Sequence, residues 1–486
     1  MAAVTKVLTL GTVCSLFVIF LAIYLRQTEN DLQRKLNEVL SGLIAVEKQH
    51  VSDRPKVAVG YGACHDLLIS ATDFLDYDES IGAPEHFDDI NSIEELKKSF
   101  AYYFRHGAAA ERYMSNSTLF DELVAAAGTV PNSRYSLGGN AASIASRLSN
   151  EGCEVMLAAT LTPQLQKSLP SGLKVVGKST TRDDIHLILE YKAGDSWGPF
   201  SAPRANRFIL HNDEHNPLVS SLEALEEELK NFSADLLVIS GLQMMDNYPF
   251  VEGARERRLS RIQKQMARQP PTTRIHFEMA SFAEPHLMHY LMDNVIPYAD
   301  SLGMNEQELA NLVSMYSHGN VSLVSDSNPR VATVLDEMRY LVKLVRQNRQ
   351  MQGGKSSREL TRLHVHTLAY QAVLTVKPSS WVNSNVAAAK ASLTAHRHVC
   401  ATNQIDVDKA MLIMDGSFLT SRRAGEGERV VIEPHSPVPC WLEGGQGQGH
   451  APQLELCVAP ILVCTHSTQT AGGGDNVSAA ALAMQL

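Results

Sequence analysis

Short apolar runs recur along the chain, and most of them are continuous rather than alternating: KVAVGYGAC from Lys56, EVMLAAT, HLILEY, ADLLVISG, TRIHFEMAS and, near the end, VAPILVC. A strand that is apolar at consecutive positions has no side for water, so both faces of its sheet must be covered. Amphipathic stretches between the runs, such as LEALEEELKNF and SRIQKQMARQ, supply the covering helices. The pattern predicts an α/β chain built on a large, doubly wound, mostly parallel sheet. Two stretches, about 70–131 and 163–213, are more polar and carry turn-rich pieces such as AGDSWGPFSAPRAN. They read as a smaller, discontinuous α+β lid. EGGQGQGHAP at 443–452 reads as a hairpin loop, and no internal repeat is present.

Ahead of this body, Lys6 precedes an apolar run from Val7 to Leu25, long enough for one membrane span. No small-x-small cleavage site follows, so an uncleaved signal anchor is favoured over a removed signal peptide for residues 1–25. Residues 26–55 read as a charged helical stalk, leaving 56–486 as the folded body. Asn116, Asn231, Asn320 and Asn476 each begin an N-x-[ST] sequon, and the last is expected to stay unmodified because it adjoins a candidate site. The net charge of −10, from 43 basic and 53 acidic residues, argues against general nucleic-acid binding. The seven cysteines form no CxxC pair, which excludes a zinc ribbon or a thioredoxin-type motif.

In open parallel sheets ligands bind beyond the carboxyl ends of the strands, so polar residues following the apolar runs are the ones to weigh. In TQTAGGGDNVSAAAL, Gly472, Gly473 and Gly474 form a turn that feeds a helix mouth, where free amides and the helix dipole favour an anion. Asp475 is either the cap of that helix or a reactive group beside it. Asp66 follows the first run, and Gly138, Gly139 and Asn140 open a helix after RYSL; each suits a polyhydroxylated ligand or a structural turn. Strand alternation puts His276 and Glu278 on one face. Asn305 and Glu308, three apart at a helix start, serve either a metal or a capping box. Arg207 offers a planar fork for phosphate or an ordinary surface charge. His364 and His366 share a strand face, as core residues or as phosphate contacts. GGKSS at 353–357 is not a P-loop, since Arg349 stands where that motif needs glycine.

Taken in order, GAAAERY, GGNAA, HLILEYKAGDSWG, APRANRFI, SGLQMM, HFEMAS, SLGMNEQEL, TRLHVHTL and AGGGD resemble the eukaryotic ADP-dependent glucokinases of the ribokinase-like superfamily, from about Lys56 to the end. The resemblance implies a magnesium-dependent kinase that phosphorylates the 6-hydroxyl of glucose with ADP. It places Asp475 as the base and Gly472, Gly473 and Gly474 as the anion hole. It assigns the sugar to Asp66, Glu111, Gly138, Gly139 and Asn140, and the nucleotide to Arg207, His276, Asn305 and His366. Glu278, Glu308 and Asp475 would serve the Mg2+, and Cys400 and Cys464 would pair as a disulfide near the nucleotide. With the N-terminal segment, the expectation is a monomer in the endoplasmic reticulum lumen, membrane-anchored or secreted, whose membrane contact is confined to that segment. The alternatives are an ATP-dependent sugar kinase or ADP-dependent phosphofructokinase of the same fold, or a catalytically silent sugar-binding or membrane-tethered scaffold protein.

Overall fold

The computed structural model describes residues 2–49, 54–322, 326, 328–351, 358–444, 452–469 and 471–486, the side chains of 2–16, 19, 22, 23, 25 and 351 excepted. GGKSS and most of EGGQGQGHAP lie outside these described residues.

The apolar runs assemble a ten-stranded sheet in the order Cys440–Glu443, Gln453–Pro460, Tyr370–Lys377, Arg362–His366, Ser301–Asn305, Arg274–Glu278, Leu236–Ile239, Lys56–Gly60, Glu154–Ala158, Lys174–Val176. From Arg362–His366 to Lys174–Val176 every pairing is parallel. The remaining strands close the other edge antiparallel. Continuous hydrophobicity is explained by the two cores: Val57 and Val59 face one, with Ala141, Ala387 and Leu482 from covering helices. Ala58 faces the other, with Leu222, Ile262, Leu309 and Leu335.

A separate five-stranded sheet forms the lid, in the order Ala110–Tyr113, Asn206–His211, Ile185–Tyr191, Cys64–Ser70, Arg134–Gly138. Here the period of two decides function. Leu67, Ile69, Leu187, Leu189, Phe208 and Leu210 pack under Phe100, Phe104 and Trp197. Their neighbours Asp66, His186, Ile188, Arg207 and Ile209 face the cleft between lid and large sheet. The large sheet with a smaller lid is the expected two-body layout, but the lid boundaries differ from expectation at two places. HLILEY, inside the expected 163–213 stretch, joins the lid sheet, where one of its faces lines the cleft instead of packing under a second helix layer. The lid starts at Cys64 and runs through Gly138, beyond 70–131. Residues 163–176 belong to the large body, because Lys174–Val176 pairs in parallel with Met156–Ala158.

The stalk expectation is also corrected. Ala2–Glu47 is one helix, as the spacing implied, yet its second half is docked. Leu36, Val39 and Leu43, at helical spacing, are at most 1% exposed against Val373, Ala388 and Leu393. Glu47 then meets Lys390 at 2.9 Å and Arg397 at 2.8 Å. Burying three aliphatic side chains is worth about 1.5–3 kcal/mol each, which holds this helix to the body. Among the described residues no helix is long and apolar enough to cross a membrane. Much of the Val7–Leu25 run, on which the anchor expectation rests, lies outside the described side chains.

Among the described residues there are two disulfides. Cys400–Cys464 is the expected one. Cys440–Cys457 was not anticipated; it joins directly opposed residues of adjacent antiparallel strands, a pairing visible only once register is known.

Candidate active site

A cleft of about 650 Å³ runs between the lid and the carboxyl ends of the parallel strands. At its centre is the mouth of the helix Gly473–Gln485. Gly472 precedes it at φ +68°, a left-handed conformation suited to glycine. A Cβ on Gly474 would lie 2.7 Å from His366 Nε2, so that position must also stay bare. Asp475 therefore falls inside the first turn, with Gly472 as N-cap, and is not itself the cap. The first amides of that turn have no intrahelical acceptor and point out of the helix.

Asp475 accepts a hydrogen bond from Asn140 Nδ2 at 3.0 Å, and Asn140 Oδ1 accepts one from Gln243 Nε2 at 2.6 Å. Burial and then the Glu278 charge push Asp475 up to about 8, against the Asn140 bond and the Arg207 charge. Such a carboxyl is poised to exchange a proton near neutral pH. Gln243 was missed, although it follows directly on the Leu236–Ile239 strand, where a ligand-facing residue is expected. Its Oε1 is buried without a hydrogen-bond partner.

On the large-sheet side, Glu278 is 3% exposed and burial pushes it up to about 8. His276 holds it at 2.8 Å through Nε2, while His276 Nδ1 meets Ser301 Oγ at 2.8 Å. Arg362 Nη1 donates to the same Ser301 oxygen at 3.0 Å. His276 is thus fully buried beneath the cleft and away from its lining; the expected nucleotide contact is corrected to a support for Glu278. Asn305 and Glu308 line the cleft and also form the capping box, with Asn305 Oδ1 accepting from the Glu308 amide and Glu308 Oε2 from the Asn305 amide, both at 2.8 Å. The capping reading of N-x-x-E is realised, and Glu308 lines the cleft as well. Burial pushes Glu308 up to about 8 as well.

The lid contributes Asp66, Glu111, His186 and Arg207. Burial pushes Asp66 up to about 6. Gly138 does not line the cleft; a Cβ there would lie 1.8 Å from Asp66 Oδ1, so its role is to make room for that carboxylate. Gly139 and Asn140 do face the cleft. His186, which stands out in no local motif as the second residue of a strand, meets Asp213 at 3.0 Å and Glu111 at 3.6 Å. Burial works against its charge, but Asp213, Glu111 and Asp66 push it up to about 10, so it remains a cation and donor. Arg207 Nε is buried with no acceptor among the described residues. His366 packs directly against Gly474; burial and the Arg207 charge bring it down to about 4, leaving a neutral ring whose Nδ1 is buried and unpartnered among the described residues. His364 instead lies in the core, bonded to Gln371 at 2.9 Å.

Beyond the helix mouth the cleft becomes apolar, with Val399, Met411, Ile413, Ile461 and Val463 beside the Cys400–Cys464 bridge. Asn476 is engaged at both ends of its side chain, donating to the Gly472 carbonyl at 2.9 Å and accepting from Arg147 at 3.1 Å.

A conserved region described as ADP-specific phosphofructokinase/glucokinase matches residues 55–484. The chain is 34% identical to the ADP-dependent glucokinase of Bos taurus over 435 residues, which cover 88% of this chain and 84% of that protein. It is 27% identical to a probable ADP-dependent glucokinase of Caenorhabditis elegans, with the same coverage. The fold is shared with an ADP-dependent kinase solved in complex with fructose-6-phosphate and ADPβS, at a TM-score of 0.60 and 15% identity, covering 93% of this chain and 97% of that one. The chain is therefore a phosphotransferase and belongs to the ADP-specific phosphofructokinase/glucokinase family.

Proposed function

We propose that the protein transfers the terminal phosphoryl group of ADP to the 6-hydroxyl of D-glucose, giving glucose 6-phosphate and AMP. The observation that carries this reading is the position of Asp475: a buried carboxyl at a glycine-lined helix mouth, facing polar lid residues that include Arg207, whose Nε is buried without an acceptor among the described residues. Asp66, Glu111 and His186 offer acceptors and a donor for sugar hydroxyls. The apolar end of the cleft suits an adenine ring, and Arg207 with the helix amides suits the diphosphate between them.

The hydroxyl oxygen attacks the β-phosphorus, the bond from that phosphorus to the bridging oxygen breaks, and AMP leaves with the electron pair. Asp475 receives the hydroxyl proton. Phosphoryl transfer depends chiefly on positioning and charge stabilisation, which the Gly472–Gly474 amides and Arg207 supply. Glu278 and Glu308 are buried oxygen donors whose charge is only partly offset, by Arg362 at the first and the Asn305 amide at the second, the chemistry that a hard divalent ion such as Mg2+ fits. Bound there, it would neutralise charge on the diphosphate. Closing the lid over the cleft would exclude water, which otherwise competes with the sugar.

The reading also places the protein as a monomer in the endoplasmic reticulum lumen, held by or released from its N-terminal segment. Two disulfides fit an oxidising compartment, and the engaged Asn476 fits an unmodified sequon. Protease protection of the tagged protein in intact microsomes tests the location. The activity is tested by a coupled assay of the full chain with glucose and either ADP or ATP, beside Asp475→Ala. ADP-dependent turnover that falls by about 10²- to 10⁴-fold in the variant is expected. Turnover with ATP alone, or an unaffected variant, would sink the proposal.

A further inference from the structure

Away from the catalytic cleft, a second cavity of about 500 Å³ opens beyond the carboxyl ends of two parallel strands, Glu154–Ala158 and Lys174–Val176. Its wall includes Thr160, Lys178, Thr180, His215 and Arg258, with Glu223 as its one acid. That acid is already engaged: Arg258 donates to it, and Arg261 donates to it at 2.8 Å. Arg258 Nε and Thr160 Oγ1 are buried with no hydrogen-bond partner among the described residues. Lys178 is exposed and takes part in no ion pair among them. The wall thus combines an uncompensated ammonium with two donors that lack acceptors. A cation finds no free carboxylate here, whereas a tetrahedral oxyanion would meet the Lys178 ammonium, the Thr160 hydroxyl and Nε of Arg258, the one guanidinium nitrogen not already held by Glu223 and the Val219 carbonyl.

The place of the cavity suggests what occupancy would do. Residues 177–184 lead into the lid strand Ile185–Tyr191, and residues 212–221 lead out of the lid strand Asn206–His211. The two connectors are tied at the cavity wall, where Thr180 Oγ1 meets His215 Nε2 at 3.1 Å. Behind it, the amides of His215 and Asn216 both donate to Asp184 at 2.9 Å, and Asn216 Oδ1 accepts from the Ala63 amide at 3.1 Å, just ahead of the first lid strand. These bonds gather three lid connections around one wall.

We propose that this hinge cavity is a second oxyanion site, separate from the catalytic cleft, which takes a phosphate-class ligand and biases the lid. By linkage, a ligand that favours one lid position changes the affinity for whatever the lid closes upon, and the reverse holds equally. Inorganic phosphate and a phosphate monoester share the required chemistry, so both are probes.

Amide hydrogen exchange of the full chain, with inorganic phosphate in one arm and glucose 6-phosphate in the other, tests occupancy without needing turnover. Failure here is therefore distinguishable from failure of the glucokinase reading, on which only the kinetic half rests. Protection is expected at 177–181 and 215–221, lost in Lys178→Glu and weakened in Thr160→Val, while any protection at 471–475 is the same in all three proteins. The arm that protects these segments at the lower concentration identifies the ligand source. The KM for glucose should shift by about fivefold with the bound ligand in the wild type and not in Lys178→Glu. Protection confined to 471–475, or retained in Lys178→Glu, overturns the site. Protection without any shift in KM overturns the coupling to the lid.

Discussion

The side-chain amide of Asn140 donates to Oδ1 of Asp475 at 3.0 Å, joining the first turns of two helices whose partners lie 335 residues apart in sequence. Burial and the Glu278 charge lift Asp475 to about 8, and this bond works against the lift by stabilising the carboxylate. Only the carboxylate can accept the proton. Asn140→Ala should therefore move the acidic limb of the pH profile of kcat to higher pH. A hydrogen bond to a charged group is worth about 1.5–3 kcal/mol, so kcat near neutral pH should fall by about 10- to 100-fold. An unmoved limb in the variant would show that Asn140 does not set the basicity of Asp475.

Arg207 separates charge from shape. Its Nε is buried without an acceptor, and its charge favours the ionised form of Asp475 while opposing protonation of His366. Arg207→Met should lower kcat/KM for ADP by about 10- to 100-fold, again the scale of a charge-assisted bond. Arg207→Lys should restore only part of this, because an ammonium lacks the planar fork. Steady-state kinetics with ADP varied at saturating glucose makes the measurement. Full rescue by lysine would reduce the role of Arg207 to charge alone.

Glu278 links stability to pH. Its folded-state pKa, about 8, stands above the ordinary value of 4.5 because burial penalises the charge. The stability it contributes is complete below the unfolded pKa and is lost as pH rises through about 8. Metal-free protein should therefore lose thermal stability between pH 5 and 8.5 more steeply than Glu278→Gln, which carries no such proton. Magnesium should raise Tm near pH 8 and do little at pH 5, where the carboxyl is protonated. Parallel Tm profiles for the two proteins would refute this account.

Much of the large sheet was legible because consecutive apolar residues in a strand need cover on both faces, as Val57, Ala58 and Val59 show by facing opposite cores. The lid was harder to read. Its strand HLILEY carries the same apolar signature, yet His186 and Ile188 face the cleft while Leu187 and Leu189 face a core. A continuous run cannot reveal which of its faces meets a ligand. Asp475, Glu278 and Glu308 were legible because each sits in a short motif at a strand end or helix start. Gln243 and His186 carry no such local mark, since their partners Asn140 and Glu111 are distant in sequence. His276 and Gly138 fell on the right motifs but support the acids beside them. Distinguishing contact from support required side-chain direction.

The docked N-terminal helix makes the boundary at Lys56 testable. Leu43 is fully buried among residues of the body, so Leu43→Ala should cost about 2–5 kcal/mol. A chain beginning at residue 56 would uncover Val373 and Leu393, whereas one beginning at residue 26 keeps the docked half. Denaturant unfolding should place the shorter chain well below the longer one in stability, with the longer near the full chain. Equal stability of the two would mean that this contact contributes nothing.

The two disulfides should separate function from stability. Cys400 caps the helix Ser384–Val399, and Cys464 ends the strand Leu462–Cys464, so their bridge fixes two walls of the apolar end of the cleft. Cys440 and Cys457 join an edge strand to its neighbour, and neither residue lines the cleft. Removing either pair by double serine substitution should cost about 2–4 kcal/mol, since each bridge restricts the unfolded chain. Only loss of Cys400–Cys464 should also raise the KM for ADP, with the KM for glucose little changed, because the proposed sugar contacts Asp66, Glu111 and His186 lie on the lid. A rise in the KM for ADP on removing Cys440–Cys457 would show that the sheet edge and the nucleotide end are mechanically continuous.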